Sequence, residues 1–279
     1  MDEAVIRDFW NRHPCGEQFV GGLRDDYEDF FRRYDAHRYA TESHIPACLD
    51  RIDFRGKSVL EIGLGEGAES EQIIRRGARW TGIDLTPESV ARVSTRLALR
   101  GLDYDWITIG SARALPFPDR QFDIVFSHGV LHHVPEIGQA QREIARVLKP
   151  GGTLVIMVYA KWSLNYLLSI AVLRRLGLLL LYLTGARPGS IYAAHIENAR
   201  RIGLWRYLKL ENFIHYNTDG PLNPYSKVYS LTSVQHDFPA FRVIAAHKEH
   251  MHAPPLPVRG LPGARLMGWH LWVHLTPRA

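Results

Sequence analysis

The sequence predicts a doubly wound α/β fold, with a mostly parallel, seven-stranded sheet and helices on both faces. Short apolar runs alternate with stretches of helical spacing between residues 57 and 158, an order typical of parallel strands joined by crossover helices. A glycine-rich turn follows the first run, at the position where open α/β sheets bind ligands. Two later runs with alternating apolar residues, 241–247 and 268–275, complete the sheet, and we expect the last to be antiparallel.

Each core element has a local signal. The run KSVLEI ends at the glycine turn, and the helical segment after it closes at Gly77. Thr86 is a typical N-cap and Pro87 a typical first residue for the next helix. The predicted core strands are 57–62, 79–83, 104–109, 122–126 and 153–158, and the helices after the second and fourth strands are 87–100 and 137–148.

Composition excludes several classes of protein. The net charge of +5 comes from 34 basic and 29 acidic residues without a basic run, which argues against nucleic-acid binding. Cys15 and Cys48 lie far apart and outside any CxxC pattern, so neither a disulfide framework nor a zinc site is expected. The N-terminus is acidic before it is apolar, unlike a signal peptide, and this predicts a cytoplasmic protein.

The most apolar segment is Leu164–Leu183. It contains Asn165, Ser169 and the pair Arg174–Arg175, whereas a membrane span needs about 20 nearly uncharged residues, so we do not predict a transmembrane helix. Three interpretations stay open: a wall for an apolar substrate, a buried core helix, or the surface of a homodimer.

The chemistry is expected at the glycine turn. Glu61, Gly63, Gly65 and Gly67 stand at a strand end, where glycines let the backbone approach a ligand closely. Asp84 ends the next strand about 20 residues later, where a carboxylate can accept both hydroxyls of a ribose. The alternatives are an ordinary tight turn and, for Asp84, a helix-start residue.

Four segments together resemble class I S-adenosylmethionine (SAM) dependent methyltransferases, in the branch that methylates small molecules and quinones. They are VLEIGLGEG (59–67), TGIDLTPESV (81–90), SARALPFPDRQFDIVFSHGVLHHV (111–134) and VLKPGG (147–152). Their order and spacing match over roughly residues 56–160. The resemblance implies a Rossmann-like sheet that binds SAM as its cofactor.

The resemblance also implies roles for individual residues. Gly63 and Gly65 would line the methionine part of SAM, with Glu61 beneath its ammonium group. Asp84 would hold the ribose, and Leu85 would pack on the adenine. Where many relatives carry an acidic residue for the adenine amino group, this chain offers only the Ser111 hydroxyl and the Ala112 backbone amide.

The N-terminal segment 1–55 is aromatic and helical in spacing. In the resembling branch such a segment folds over the cofactor as a lid. Tyr27, Arg38 and Tyr39 are therefore expected to bind the SAM carboxylate or to close the site. The alternative is an aromatic stripe that packs on the sheet.

Histidines are the expected catalytic residues. His128 follows the fourth strand and should lie at the reactive end of the cofactor. His132 and His133 come next, and one of them could remove a proton from the acceptor, although a packing role is equally open. His195 is a further candidate in the helical insertion 161–235. His247, His250 and His252 are expected to face solvent at a strand end, so no metal site is predicted.

These observations favour methyl transfer to an O, N or C atom of a small, partly apolar acceptor. The expected organisation is a lid (1–55), a SAM-binding core (56–160), a helical acceptor-binding insertion (161–235) and C-terminal strands (236–279). Two alternatives remain, a nicotinamide-dependent oxidoreductase and a SAM-binding module without catalysis.

Overall fold

A seven-stranded sheet forms the centre of the computed structural model, which describes residues 1–21, 26–185 and 189–278. The strand order is β3-β2-β1-β4-β5-β7-β6. The first five strands are parallel, and the last two are antiparallel to their neighbours. The predicted fold class and the antiparallel last strand are confirmed.

The strands are β1 (Ser58–Ile62), β2 (Arg79–Asp84), β3 (Trp106–Ile109), β4 (Phe122–His128), β5 (Leu148–Tyr159), β6 (Phe241–Glu249) and β7 (His270–Pro277). The helices are α1 (Glu3–Arg12), α2 (Tyr27–Thr41), α3 (Ile45–Leu49), α4 (Ala68–Arg75), α5 (Pro87–Leu99), α6 (Ile137–Val147), α7 (Arg175–Thr184), α8 (Ser190–Ile202), α9 (Leu204–Tyr207), α10 (Leu210–Phe213), α11 (His215–Thr218), α12 (Leu231–Asp237) and α13 (Ala264–Met267). A π-helical segment, Asn165–Arg174, runs directly into α7.

The start of β5 differs from the prediction. The KPGG segment was expected to be a turn before the strand, but Leu148 already pairs with Phe122. A shift in register follows, and Gly151 has a φ of 76°. The glycines therefore let the strand bulge and return to the same neighbour.

Two apolar layers enclose the sheet. On one face, α6 and α12 pack on residues such as Val125, Ile156 and Val273. On the other, α4 and α5 cover Val59, Trp80 and related side chains. The strands that bury both faces are nearly continuous runs of apolar residues, as expected for a covered parallel sheet.

Helix α2 is joined to this framework by a buried arginine. Arg96 of α5 donates to Asp35 of α2 at 2.6 Å and to Glu71 of α4 at 2.9 Å. Its guanidinium also lies 5.1 Å from the ring centre of Phe31. Removing one partner of such a buried group is costly, at about 3–5 kcal/mol. This arginine thus fixes the N-terminal helices relative to the glycine turn.

Candidate active site

The glycine turn lies between β1 and α4, and its three glycines differ in their surroundings. All three have positive φ values, so the turn depends on them. A Cβ on Gly63 would lie 2.2 Å from Val130, which already covers that position. A Cβ on Gly65 would meet nothing within 4 Å. The space for a ligand therefore borders Gly65.

Asp84 lies at the end of β2 and its carboxylate points back to this turn. It accepts hydrogen bonds from the Leu64 backbone amide at 2.7 Å and from the Thr86 amide and hydroxyl, each at 2.8 Å. Burial raises its pKa, and the bonds from Thr86 and Leu64 partly offset the rise. Both interpretations of Asp84 are compatible with this geometry, because the carboxylate is held both by the glycine turn and by Thr86, the N-cap residue of α5.

Glu61 is a buried carboxylate in the same site. Its side chain accepts a hydrogen bond from the Trp80 indole at 2.7 Å. Burial raises the pKa of Glu61 to about 8, so the acid is mostly neutral at pH 7 unless a cation lies beside it. A cation bound beside Glu61 would therefore favour its negatively charged form.

Helix α2 reaches the turn with its C-terminal half. Arg38 donates to Glu69, in the first turn of α4, at 2.7 Å, and lies 3.1 Å from Glu42. The Tyr39 hydroxyl donates to the Ala68 carbonyl at 3.2 Å. Both residues therefore border the start of α4. Arg38 already has carboxylate partners, so a cofactor carboxylate would have to compete with them.

Tyr27 lies elsewhere. It begins α2, eleven residues before Arg38, which separates the two by about 16 Å along the helix axis. Its ring contacts Phe31 at 5.8 Å, and the neighbouring Glu28 pairs with Arg100 beyond the far end of α5. Tyr27 thus lies apart from Arg38 and Tyr39, and its expected role in binding the cofactor or closing the site stays a prediction.

The predicted adenine side is covered by α1. The Ser111 hydroxyl donates to Glu3 at 2.6 Å, and Arg113 donates to the same carboxylate at 2.8 and 2.9 Å. Ala112 is buried and Leu85 half-buried. The acidic group that the motif lacks is therefore present nearby, but it comes from the N-terminal helix.

His133 and Asp219 face each other beyond β4. His133 Nδ1 lies 2.7 Å from the Tyr225 carbonyl oxygen, and Nε2 lies 3.4 Å from Asp219 Oδ2. The Tyr159 hydroxyl donates to the other oxygen of Asp219 at 2.7 Å. Trp10 of α1 covers the His133 ring, with 5.0 Å between ring centres.

These contacts define the protonation pattern. A carbonyl oxygen only accepts, so His133 must carry its proton on Nδ1, and in the neutral ring Nε2 has the free lone pair. Nε2 and Asp219 Oδ2 are both buried without a hydrogen-bond partner. A hydroxyl group that approaches Nε2 from beside the pair could give its proton to Nε2, and Asp219 Oδ2, 3.4 Å away, would stabilise the resulting imidazolium.

The other predicted catalytic histidines do not fit that role. His132 is 0% exposed, and its ring lies against Tyr159 and His133 at 4.0 and 4.3 Å. Its burial holds its pKa well below the usual range, and its ring lies against aromatic neighbours on two sides, so we expect a packing role for it. His128 accepts from Arg38 through Nδ1 at 3.1 Å, which leaves its proton on Nε2 and makes it a donor.

His195 is also corrected. It lies in α8, where its Nδ1 is 2.7 Å from the Tyr207 hydroxyl. Tyr207 belongs to the separate apolar core of the insertion, with Ile170, Leu178 and Phe213. Burial lowers the pKa of His195 to about 4. It stabilises the insertion and has no contact with His133.

The expectation of solvent-facing histidines at the end of β6 is wrong. His250 is buried, and it stacks with His44 and His252 at 5.4 and 5.2 Å and lies 4.6 Å from the His270 ring. We call these four residues the histidine stack. They are enclosed because α3 and the loop after β6 close over the sheet edge.

Part of the histidine stack could hold a metal. Glu42, His250 and His270 bring ligand atoms within 4.8 Å of one another. However, the Arg38 guanidinium lies 3.1 Å from Glu42 and already neutralises this carboxylate. Two further groups with similar spacing are Cys48, His247 and Glu249, and His132, His133 and Asp219.

Several site residues were missed or underrated. Val130 closes over Gly63, Glu3 supplies a carboxylate beside Ser111, and Tyr159 orients Asp219. Only Tyr159 had a clear signal, since it ends the fifth strand and strand ends point to the ligand crevice. Asp219 was one of several polar residues in the insertion, and nothing in the sequence singled it out.

Comparison with known proteins identifies the core. Residues 60–156 match the family model described as a methyltransferase domain. This range includes β1, β2, the glycine turn, Asp84 and His133. The centre of this chain is therefore similar to methyltransferase domains, and we call it the methyltransferase domain. The match favours methyl transfer over the nicotinamide chemistry that the glycine spacing also allowed.

Relatives and solved structures agree with this assignment. The methyltransferase domain is similar to a fatty-acid O-methyltransferase of Mycolicibacterium smegmatis, 38% identical over 133 residues, or 47% of this chain and 45% of that protein. It is also similar to a probable tocopherol O-methyltransferase of Oryza sativa subsp. japonica, 35% identical over 164 residues, or 58% of this chain and 45% of that protein. The aligned part thus spans less than half the length of these relatives.

The fold is shared with a SAM-dependent methyltransferase from Mesorhizobium loti. The TM-score is 0.55 at 16% identity, over 84% of this chain and 97% of that one. At this identity the likeness concerns the fold, and the insertion and its acceptor contacts have to be argued from this chain's own residues.

Proposed function

We propose that this chain is a SAM-dependent O-methyltransferase that acts on a hydroxyl or carboxyl oxygen of a small, largely apolar acceptor. The observation that carries the proposal is the meeting of Glu61, Asp84 and the open side of Gly65 at the ends of β1 and β2, inside the methyltransferase domain. SAM supplies an activated methyl group on a sulfonium leaving group.

The residues at this edge fit SAM. Glu61 is buried and its pKa is raised, as expected for a carboxylate without a bound cation, and it would lie beneath the ammonium group of SAM. Asp84 is held beside the glycine turn by the Leu64 and Thr86 amides, and its carboxylate would accept from a ribose hydroxyl there. His128, at the end of the neighbouring strand β4, has a buried Nε2 donor without a hydrogen-bond partner. Arg38 and Tyr39 border it from the N-terminal side.

His133 and Asp219 support the choice of oxygen as the methylated atom. The free lone pair of Nε2 can take the proton of an acceptor hydroxyl, and Asp219 then stabilises the imidazolium. Trp10 and Tyr159 shield the pair from water. The chain's own contribution is therefore alignment, exclusion of water and removal of one proton.

The apolar character of the acceptor is inferred from the insertion. Its core, which includes Tyr207, Phe213 and Trp269, extends to Tyr159 beside the catalytic pair. Two of the similar proteins are named for fatty-acid and tocopherol O-methylation. An acceptor with a long apolar part and one hydroxyl or carboxyl oxygen fits both observations.

The test is methyl transfer from SAM labelled in its methyl group. The purified protein is incubated with long-chain fatty acids, prenylated phenols and, as a matched polar set, short-chain acids and simple catechols. We expect label in the organic phase with the apolar acceptors only. Label that stays in precipitated protein or RNA of a cell extract, with none in small products, would contradict the proposal.

A further inference from the structure

The long apolar helix Asn165–Thr184 turns its polar side inwards. Asn165 and Ser169 are buried, and the Ser169 hydroxyl donates to the Pro254 carbonyl. Arg174 donates to the Asn217 carbonyl at 2.8 Å. The polar residues that argued against a transmembrane helix thus make their contacts within the protein.

The opposite side of this helix is apolar and exposed. Val172, Leu176, Leu180 and Leu183 follow one another at helical spacing, with exposures that rise from 40% to 70%. Trp205, 74% exposed, shares with Val172 and Leu176 a surface hollow of about 310 Å³. We call these five residues the apolar face. Soluble proteins seldom expose such a continuous patch without a partner.

The sequence segment that carries the apolar face is rich in basic residues. Residues 161–210 contain eight Lys or Arg and one Glu, whereas the rest of the chain has 26 basic and 28 acidic residues. Arg175 and Lys209 line the hollow, and no acidic residue of the described chain is among the residues around it. The segment that carries the apolar face therefore has an excess of seven positive charges in its sequence, and Arg175 and Lys209 are the two cations that line the hollow.

We propose that the apolar face docks onto a lipid bilayer that contains anionic headgroups, with the helix lying in the plane of the interface. Leucines of such a helix enter the boundary between headgroups and acyl chains. Trp205 suits the interfacial level, where tryptophan is enriched. Arg175 and Lys209 would lie near phosphate groups, and each such cation strengthens attraction to an anionic surface.

Two other occupants fit less well. The helix is long and apolar enough to span a membrane, and only 17% of its most apolar 18-residue stretch is buried inside the protein. Its inner side, however, packs Ile170 and Leu178 into the insertion core, which a spanning helix would have to leave. A second copy of the chain would bring the same basic rims together across a two-fold axis, and like charges would repel.

The position of Tyr159 suggests a functional reason for membrane docking. Tyr159, which donates to Asp219, packs against the core that underlies the apolar face. A lipid-like acceptor could thus pass from the bilayer to His133 on this side. This last step rests on the proposed function, whereas docking itself does not.

The experiment is co-sedimentation of the full chain with vesicles of phosphatidylcholine alone and of phosphatidylcholine mixed with phosphatidylglycerol. We expect binding to the mixed vesicles, weakened by salt, and little binding to phosphatidylcholine. The variants Leu176→Glu/Leu180→Glu and Arg175→Glu/Lys209→Glu should each bind about tenfold more weakly or worse. Leu99→Glu, on the exposed side of α5, is the matched control and should bind as the wild type does.

Fold and SAM affinity of each variant are measured in parallel, so a failed cofactor site is not mistaken for failed docking. If a variant does not fold, the wild-type chain still tests the proposal, because Trp205 fluorescence should be quenched by brominated lipids in a way that Trp205→Phe abolishes. The proposal is overturned by absence of vesicle binding or by binding that neither double substitution weakens. A dimer formed through Leu176 would also overturn it. Vesicle binding that resists extraction with alkaline carbonate would overturn it too, because a helix that lies in the interface should be extracted.

Discussion

Glu61 should release a proton when SAM binds. The burial that raises its pKa to about 8 keeps the carboxyl group mostly neutral in the free protein, so at pH 6.5 only about 3% is ionised. The ammonium of a bound SAM would favour the ionised form. Ionising Glu61 at pH 6.5 then costs about 2 kcal/mol of the binding energy.

The cost of ionising Glu61 falls as the pH rises, so the affinity for SAM should increase with pH. From pH 6.5 to pH 7.5 the affinity for SAM should increase by up to about tenfold, because each unit of pH below the pKa of Glu61 costs about 1.4 kcal/mol. The free amino group of the ligand is itself more than about nine-tenths protonated at pH 6.5, so it adds little there.

The assay is isothermal titration of SAM at pH 6.5 in two buffers that differ in ionisation enthalpy. The wild type should release about one proton per SAM bound. Glu61→Gln keeps an acceptor for the Trp80 indole and should release none, with an affinity that no longer changes with pH. Equal proton release by both proteins, or none by the wild type, would refute the reasoning.

Three further predictions follow from the site. Gly65→Ala should fold, at a cost of about 1–2 kcal/mol for its positive φ, yet lose SAM affinity, whereas Gly63→Ala should unfold at lower denaturant, since its Cβ would lie 2.2 Å from a neighbouring side chain. Denaturant titrations and SAM binding separate the two, and equal behaviour would count against the assignment of the open side. Asp219→Asn should lower kcat about 10- to 100-fold with unchanged SAM affinity, because the His133 imidazolium loses its partner; an unaltered kcat would remove this pair from catalysis. Acid should destabilise the protein through the histidine stack, where burial lowers the pKa values of His44 and His252 to about 3. The unfolded chain takes up protons below pH 6.5 that the folded one does not, so the free energy of unfolding should fall by about 1 kcal/mol per histidine per pH unit between pH 6.5 and 4, after allowance for partial exposure. Urea titrations at pH 7.5 and 5 check this, and equal midpoints would contradict it.

The sequence was a good guide to the methyltransferase domain because its signals are local. A strand that ends at glycines and a helix that begins at Thr86 and Pro87 are determined by neighbouring residues, and the structure places these elements within a few residues of the prediction. Glu61 and Asp84 end up together since parallel strands share one edge.

The contacts that decide chemistry were less predictable. Whether His132 or His133 can act as a base depends on Tyr225 and Asp219, more than 80 residues later in the chain. Two of the partners of His250, His44 and His270, come from separate segments of the chain. Such long-range packing leaves no pattern in a single sequence.

The outward-facing leucines could not be predicted from the sequence for a different reason. The composition of the helix Asn165–Thr184 suggested an apolar wall, a buried core helix or a dimer surface, and its polar residues argued against a helix that spans a membrane. The direction of each side chain depends on how the insertion packs, and the buried positions of Asn165 and Ser169 reverse the usual pattern. Only the folded arrangement reveals which side is free.

The central claim is that the ends of β1 and β2 hold the adenosine of SAM. Calorimetric titration of SAM into the wild type, Asp84→Ala and the exposed control Asp103→Ala tests it most directly. The account predicts saturable binding of one SAM per chain, an affinity at least about tenfold weaker for Asp84→Ala, and no change for Asp103→Ala. Full SAM affinity in a folded Asp84→Ala protein, or binding of NAD in place of SAM, would contradict it.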